Sequence, residues 1–274
     1  MTQPQLSIQL YTVNDHLVSD PDGTLARLAA MGIRQVEAFA FVDRADALAE
    51  SFAKHGLQAK TGHAPLLSDE IRFGDRVIPV PAKADVFAAA TTLGLEYVID
   101  PFVPIDRWLD AEGIADTAAR LNAVAKEAAD HGLKVGYHNH AQEFIADFDG
   151  VSAYERFVAL TEDRVAIELD LFWARTGGQD VPALVQRLGS RLIAVHVKDG
   201  VVPTANPWAP GAPAFGSDSL DQRHAGTGEV PLDAALRAAS AVRYAVIEYD
   251  NAPGDVFTDI AASLAFLRNG GYVQ

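Results

Sequence analysis

The chain contains no cysteine, so disulfide bonds and thiolate ligands for a metal ion are excluded. Positive charge is also scarce: 22 Lys and Arg stand against 37 Asp and Glu, a formal net charge of −15. Such an acidic chain is poorly suited to neutralising phosphates, so nucleic acid is not an expected partner. No apolar run approaches the roughly 18 residues that a membrane span needs, and no secretory signal pattern opens the chain. We therefore expect a cytoplasmic protein without a membrane partner.

The chain has ample apolar material for a large core, with 49% hydrophobic residues among 274. Eight short apolar runs have the composition of strands, and Ala- and Leu-rich stretches with helical periodicity separate them. The runs begin near Leu6, Gln35, Gln58, Tyr97, Lys134, Val165, Leu192 and Tyr244. Eight alternating strand and helix units predict an α/β fold, a single (β/α)₈ TIM barrel over residues 1–274, with its active site at the carboxyl ends of the strands.

The alternative fold is a doubly wound open sheet, but no glycine-rich nucleotide motif follows the first strand. Several helical stretches end at a glycine before the next strand, which suits a left-handed helix terminus. These are Gly32, Gly56, Gly94 and Gly132. Two insertions interrupt the alternation, at about residues 66–82 and 200–230. In a barrel both would lie on the catalytic face, where loops shape the pocket.

Acidic and imidazole side chains recur where four of the apolar runs end. They are His138 and His140 with Glu143 just beyond, Asp170, His196 and Glu248. Strand alternation places every second side chain on one face, so these groups should converge at the mouth of the barrel. Carboxylates and imidazoles together suit one divalent ion such as Mn²⁺, Co²⁺, Zn²⁺ or Mg²⁺. Singly, Asp170 or Glu248 could instead cap a helix or pair with an arginine.

Other polar and aromatic residues are candidates for contacts with a substrate. His138, His140, Lys198 and Glu248 are candidates for proton transfer, and the alternative for Lys198 is an ion pair with a strand-end carboxylate. Candidate substrate-binding residues are Glu37, His63, Asp100, Trp173, Trp208 and Arg223, with Phe102 and Tyr11 as further apolar wall. Glu168 shares a strand face with Asp170 and is expected deeper in the barrel. The GTGE segment at 226–229 could offer backbone amides to an anion.

Five strings in the chain, YHNHAQEF, LDLFWARTGG, VHVKDG, GTGEVPLDAAL and IEYD, resemble the xylose-isomerase-like TIM-barrel superfamily. The resemblance is strongest to its sugar phosphate isomerase/epimerase-like branch with YHNHxxEF, and it spans essentially the whole chain. It implies a divalent ion, often manganese, held by an acidic residue on strand five and by Asp170, His196 and Glu248. The chain departs from this pattern at strand five, where His138 stands in place of glutamate. Either His138 is the ligand or Glu143 replaces the carboxylate.

The resemblance implies an enzyme of carbohydrate metabolism, an isomerase or epimerase that moves a proton at a carbon next to a carbonyl or hydroxyl. The fifth-strand histidine leaves open a lyase that dehydrates a keto-sugar or inosose, since elimination begins with the same deprotonation. Two further hypotheses are an endonuclease IV-like repair enzyme, which the acidic charge disfavours, and a sugar binder without activity. The expected partner is a small carbohydrate, and a homo-oligomer is compatible with the sequence.

Overall fold

The eight apolar runs form a closed barrel of parallel strands in the computed structural model, which describes residues 3–68, 70–73, 76–212 and 216–274. Each strand pairs with its neighbours along the chain, and the first strand closes on the last. The strands are β1 (Gln5–Gln9), β2 (Gln35–Phe39), β3 (Gln58–His63), β4 (Tyr97–Asp100), β5 (Lys134–His138), β6 (Ala166–Asp170), β7 (Leu192–Val197) and β8 (Tyr244–Ile247). The predicted barrel is confirmed, and the open-sheet alternative is wrong.

Helices occupy the connections between the strands. They are α1 (Asn14–Ser19), α2 (Pro21–Ala30), α3 (Ala45–His55), α4 (Lys83–Leu93), α5 (Ala111–Ala129), α6 (Ala153–Leu160), α7 (Leu171–Thr176), α8 (Val181–Leu188), α9 (Leu232–Ala238) and α10 (Val256–Asn269). Several begin at an aspartate whose carboxylate accepts an otherwise unpaired amide of the first turn, as Asp20, Asp110 and Asp180 do. None within the described ranges is long and apolar enough to cross a membrane.

Two of the predicted helix ends require glycine for their backbone conformation. Gly56 follows α3 with φ of 66° and Gly94 follows α4 with φ of 72°. A side chain in this left-handed region would be strained, so glycine ends each helix at low cost and turns the chain toward the next strand. Gly32 and Gly132, with φ of 85° and 72°, lie shortly after α2 and α5.

The side chains inside the barrel change in character along the strands. The layer nearest the amino ends is apolar and close-packed. It contains Tyr97, Ile99, Ala166, Ala194, Tyr244 and Val246. A Cβ on Gly136 would lie 2.6 Å from Cδ1 of Ile99, so this layer has no space for a larger residue there. Toward the carboxyl ends the interior becomes polar, as the strand alternation predicts.

The two irregular segments follow the carboxyl ends of β3 and β7. The first contains the antiparallel hairpin Glu70–Phe73 with Arg76–Pro79. The second contains the short antiparallel pair Asp199–Gly200 with Gln222–Arg223. Residues 69, 74–75 and 213–215 of these predicted insertions lie outside the described residues.

Candidate metal centre

The polar part of the barrel interior begins with a buried layer of imidazoles and carboxylates. It consists of Glu37, His63, His138, Glu168 and His196, and we call it the inner layer. Oε1 of Glu168 lies 2.7 Å from Nε2 of His63 and 3.0 Å from Nε2 of His196. The same oxygen lies 3.2 Å from Nδ1 of His138. One carboxylate oxygen therefore faces three ring nitrogens at hydrogen-bond distance.

Glu37 supplies the second carboxylate of the inner layer. Its Oε1 lies 2.8 Å from Nε2 of His196 and 3.1 Å from Nε2 of His63. The side chain of Gln9, at the end of β1, donates to the same oxygen over 2.8 Å. The Oε2 atoms of Glu37 and Glu168 are buried without a hydrogen-bond partner in the described part of the chain. β2 and β6 thus each place a carboxylate oxygen beside Nε2 of His196.

A second polar layer lies one step closer to the carboxyl ends of the strands. It consists of Asp170, Lys198, Glu248 and Asp250, and we call it the outer layer. Nζ of Lys198 lies 2.9 Å from Oδ2 of Asp170 and 2.8 Å from Oε2 of Glu248. It also donates to Oδ2 of Asp250 over 2.8 Å. The ion-pair alternative thus holds for Lys198, which contacts three carboxylates at or just beyond the ends of β6 and β8.

Strand pairing aligns the two layers. Glu168 is in register with His138 across β5 and β6, and Asp170 is in register with His196 across β6 and β7. Beyond the end of β5, Oδ1 of Asn139 accepts the backbone N–H of Asp170 over 2.9 Å, which extends the pairing by one residue. The helix-cap alternative for Asp170 holds for one oxygen, since Oδ1 accepts the N–H of Trp173 at the start of α7. Oδ2 remains directed at Lys198.

Burial and neighbouring charges set the protonation of the carboxylates. Burial raises the pKa of Asp170 to about 6, against the opposing influence of Lys198 and His196. Burial acts in the same direction on Glu248, but Lys198 and His196 hold the pKa of its carboxyl well below the usual range. Burial opposes the charge of Lys198 as well, yet three carboxylates raise the pKa of its ammonium well above the usual value. The outer layer is thus a charged ammonium among anionic oxygens.

The three imidazoles of the inner layer differ in protonation. Burial lowers the pKa of each, but Glu37 and Glu168 reverse this for His63 and raise its pKa to about 10. The pKa of His196 is likewise raised well above its usual value by surrounding carboxylates. Burial and the charges of His196 and His63 instead lower the pKa of His138 well below the usual range. His138 is therefore neutral, the form in which an imidazole binds a metal ion.

Two overlapping groups in the described residues could hold a metal ion. His138, Asp170, His196 and Glu248 form one, and His63, His138, Glu168 and His196 form the other. In each group, one ligand atom per residue lies within 4.8 Å of the others. The first group is the predicted set with His138 in the strand-five place. It fits a divalent ion, because two nitrogens and two carboxylates are a common donor set, and Oδ2 of Asp170 already has a cation, the Lys198 ammonium, at 2.9 Å.

Glu143, the other candidate for strand five, is directed elsewhere. Its Oε1 accepts the hydroxyl of Tyr137 over 2.7 Å, and its Oε2 accepts the backbone N–H of His140 over 2.9 Å. It is a member of neither group. Burial raises the pKa of its carboxyl to about 8 in spite of the Tyr137 bond. In this arrangement Glu143 holds the turn that carries His140.

His140 and a set of aromatic rings line the mouth above these layers. The His140 ring lies 5.2 Å from the ring of His138 and 5.7 Å from that of Trp173, measured between centroids. Phe102 and Trp208 lie 5.9 Å and 5.8 Å from it. Nδ1 of His140 is buried and makes no hydrogen bond to the described residues. Tyr11 packs edge-on against Phe39, with ring centroids 5.1 Å apart, and 38% of the residue is exposed.

The remaining predicted residues divide between the cluster and its surroundings. Glu37 and His63 belong to the inner layer. Asp100 is buried, but its oxygens accept the backbone N–H groups of Leu66, Leu67 and Phe102 and so tie the loop after β3 to the end of β4. Arg223 lies in the hairpin after β7, where it is exposed and pairs with Asp221 over 2.7 Å. The structure does not bring Arg223 to the cluster.

The amides of the GTGE segment are engaged by the chain itself. Oδ2 of Asp199 accepts the N–H groups of Gly226 and Gly228 over 2.9 Å and 3.0 Å. Its Oδ1 accepts the N–H of Val230 over 3.1 Å. A buried carboxylate therefore occupies the place that was considered for a bound anion.

Sequence reasoning underestimated three side chains. Glu168 was expected as a deep polar residue, and its place two positions before Asp170 signalled the shared face, but not that it contacts three imidazoles. Gln9 carried no signal beyond ending β1. Asp250 lies two positions after Glu248, and together with Gln222 it forms a chain of contacts, since the Gln222 amide donates to Oδ2 of Asp250 over 2.9 Å. Nothing in the sequence around Gln9 or Asp250 marks either residue as a ligand or a base.

The chain belongs to the xylose isomerase-like TIM barrel family, whose profile matches residues 25–270. This agrees with the resemblance carried by the five strings. No curated protein matches the sequence.

Solved structures share the fold at low identity. A sugar phosphate isomerase/epimerase from Parabacteroides distasonis superposes with a TM-score of 0.77 at 17% identity, covering 100% of this chain and 96% of that one. The IolI protein, solved with a bound zinc atom, gives 0.68 at 18% identity, covering 98% and 99%. A probable 3-DHS dehydratase from Bacillus anthracis gives 0.70 at 12% identity, covering 97% and 99%. At these identities the likeness establishes the fold, and the family to which the chain belongs is largely enzymatic.

Proposed function

We propose that the protein is a divalent-metal-dependent isomerase or epimerase of a carbohydrate. The observation that carries the proposal is the meeting of His138, Asp170, His196 and Glu248 at the mouth of the barrel, one ligand atom of each within 4.8 Å of the others. These four residues would hold one ion, either Mn²⁺, Co²⁺, Zn²⁺ or Mg²⁺. When bound, such an ion polarises a carbonyl or hydroxyl oxygen and so acidifies the adjacent C–H bond.

The side chains around the ligand group supply proton transfer in this proposal. In this proposal Nδ1 of His140 takes up the proton, since it is buried without a hydrogen bond to the described residues. Burial and the charge of Lys198 lower the pKa of this imidazole to about 3, so it is neutral but a weak base before a substrate binds. The ammonium of Lys198 faces Asp170, Glu248 and Asp250, so in this proposal one N–H turns to a substrate oxygen once an ion is bound by two of those carboxylates. Return of the proton to the neighbouring carbon gives an isomer, and its return to the opposite face of the same carbon gives an epimer. The partly exposed ring of Trp208 offers an apolar surface to the carbon face of a sugar, and the buried ring of Trp173 lies 6.4 Å from it.

Dehydration of a keto-sugar or inosose is the second candidate, and the placement of Glu143 favours it. A relay between two glutamates needs an acidic residue from strand five, but Glu143 bonds to Tyr137 and the His140 backbone. The nearby groups are instead an imidazole and an ammonium. That pair suits removal of a proton by His140 followed by departure of a protonated hydroxyl as water.

Metal content and hydrogen exchange test the proposal together. Purified protein is analysed for bound metal, stripped with a chelator and reloaded with each of the four ions. It is then incubated in D₂O with keto-sugars, inososes and aldoses, and the products are read by NMR. We expect ion-dependent deuterium incorporation that the substitution His140→Gln abolishes. A new sugar isomer indicates isomerase or epimerase, and an unsaturated product indicates dehydratase. The proposal is overturned if the protein binds none of the four ions, or if none of the ion-loaded samples incorporates deuterium.

A further inference from the structure

Glu168 is outside the ligand group proposed above, yet one of its oxygens contacts both of the histidines in that group. We propose that Glu168 is the positioning residue of the metal centre, which determines the ring nitrogen that His138 and His196 each present to the ion. This inference rests on the proposed function, because it takes the ion to be held by the group at the mouth. It concerns the orientation of the ligands and not the reaction.

The two ring nitrogens of His138 have different surroundings. Nδ1 lies 3.2 Å from Oε1 of Glu168, within hydrogen-bond reach. Nε2 lies 4.0 Å from Oδ2 of Asp170, on the side of the outer layer. An ion-binding imidazole coordinates through a deprotonated nitrogen and donates its other N–H to an acceptor. His138 therefore donates Nδ1–H to Glu168 and directs Nε2 toward the ligand group.

The ring of His196 is turned the other way, with Nε2 toward the inner layer and Nδ1 toward the outer layer. Its Nε2 lies 3.0 Å from Oε1 of Glu168 and 2.8 Å from Oε1 of Glu37. Its Nδ1 lies 2.7 Å from Oε2 of Glu248 in the outer layer. The nitrogen offered to the ion is thus Nδ1, and Nε2–H is donated inward. One carboxylate oxygen on β6 is thus within reach of Nδ1 of His138 and of Nε2 of His196, although Glu37 is the nearer acceptor for Nε2 of His196.

A second metal ion in the inner layer is the competing explanation for Glu168. Two ligand atoms bound to one tetrahedral ion at about 2.0–2.1 Å are separated by about 3.4 Å. Oε1 of Glu168 is only 2.7 Å from Nε2 of His63, which is the separation of a hydrogen bond. Nδ1 of His196 and Oε2 of Glu248 are also only 2.7 Å apart. Glu248, however, is also held by Lys198 and lies beside the opening. In the inner layer the central place is occupied by the carboxylate oxygen itself.

Glu37 provides a matched control for Glu168. Both side chains are fully buried, both contact His63 and His196, and both leave Oε2 without a hydrogen bond to the described residues. They differ in that Glu168 also reaches His138. Replacement of either by glutamine removes one buried negative charge at nearly constant shape. The amide of glutamine keeps one neutral oxygen, so only Glu168→Gln weakens an acceptor that faces both histidine ligands, by removing its charge.

The experiment measures zinc affinity by competition with a chelator for the unaltered protein, Glu168→Gln and Glu37→Gln. We expect Glu168→Gln to bind zinc about 10–100-fold more weakly, the usual effect of losing a residue that orients a ligand. Glu37→Gln should lose less. A stoichiometry of one ion per chain is expected throughout. Affinity unchanged in Glu168→Gln, equal losses in the two variants, or two ions per chain would each overturn the inference.

Nitrogen-15 NMR of the histidines in the unaltered full-length chain gives a second test that does not depend on the folding of a variant. His138 should carry its proton on Nδ1 before and after zinc is added, and zinc-loaded His196 should carry it on Nε2. The reverse pattern at either ring contradicts the role of Glu168. If the protein binds no zinc or other ion, the proposed function fails, while the His138 tautomer in the ion-free chain still decides whether Glu168 orients that ring.

Discussion

The inner and outer layers of the barrel mouth both contain buried carboxylates but place them around different partners. In the inner layer, an oxygen of Glu168 occupies the centre and three imidazole nitrogens surround it. In the outer layer, the carboxylates of Asp170 and Glu248 converge on the ammonium at the end of the flexible Lys198 side chain. The contacts of the inner layer run mainly between carboxylate oxygens and imidazoles of the layer itself. The outer layer is organised around a positive charge.

This difference bears on where a cation can bind. An ammonium held by two or three carboxylates marks a place where the electrostatic field favours positive charge. A carboxylate oxygen between imidazoles marks a place where N–H groups are accepted, which is the role of a second-sphere partner in metal sites. The group at the centre of a cluster therefore says more about whether a cation can bind there than the residue types in the cluster do. The following predictions test whether the two layers have these separate roles.

The largest effect is expected from Asp170→Asn. The amide keeps an oxygen to cap α7 at the N–H of Trp173, but it removes the negative charge of the outer layer on β6. Stoichiometric metal binding should be lost, as measured by metal analysis after dialysis, and the ion-free chain should melt at a lower temperature because Lys198 keeps only two of its three carboxylates. Asp170→Ala is the matched comparison: it should lose metal as well and also lose about 1 kcal/mol of stability with the cap. Full metal content in Asp170→Asn would remove it from the ligand group.

His138→Gln and Glu143→Gln separate the two candidates for strand five. His138→Gln should lose metal, because Nε2 of His138 is the proposed strand-five donor of the group. Glu143→Gln should retain metal and melt at a lower temperature, because an amide cannot accept from both Tyr137 and the His140 backbone and leaves a buried donor unpaired, at about 1–3 kcal/mol. If His138→Gln kept its metal but lost about 10²–10⁴-fold in activity, His138 would be a general acid or base instead. Loss of metal in Glu143→Gln alone would reverse the assignment.

Lys198→Met tests whether the outer layer depends on a positive charge. Asp170, Glu248 and Asp250 would then face one another across a buried space without their common partner. Loss of one partner from a buried ion pair costs about 3–5 kcal/mol, so urea denaturation of the ion-free variant should show a loss of that size. Added divalent ion should restore more stability to Lys198→Met than to the unaltered protein. Lys126→Met, which removes an exposed pair with Glu162, serves as the control and should change little.

Much of the architecture could be predicted because strand and helix periodicities are local properties of the sequence. The apolar runs at Leu6, Tyr97 and Leu192 each became a barrel strand, and Gly56 and Gly94 ended helices as expected. Period-two alternation also placed His196 and Lys198 on one face, and Glu248 and Asp250 on another. The convergence of these faces then followed from the barrel.

Alternation could not predict how deep each polar side chain lies in the barrel or which residue it contacts. Alternation shows that Glu168 and Asp170 share a face, but only the stagger of neighbouring strands shows that Glu168 meets His138 while Asp170 meets His196. The engagement of the GTGE amides by Asp199 is a contact across about 30 residues, for which no local pattern exists. The choice between His138 and Glu143 likewise depended on the direction of a turn after β5.

The smallest effect is expected from Arg223→Ala, which tests the outer limit of the site. The sequence predicted Arg223 as a substrate contact, but its guanidinium is exposed and bonded to Asp221 through two nitrogens. Its neighbour Gln222 points the other way, and its side-chain oxygen accepts the N–H groups of Asp250 and Asn251. Arg223→Ala should therefore leave metal affinity, melting temperature and KM unchanged. Gln222→Ala, in contrast, removes the hydrogen bonds that hold Asp250 and, through Asp250, Lys198. A raised KM in Arg223→Ala with normal metal content would show that the substrate extends over the hairpin after β7, and that the mouth is wider than the two layers beneath it.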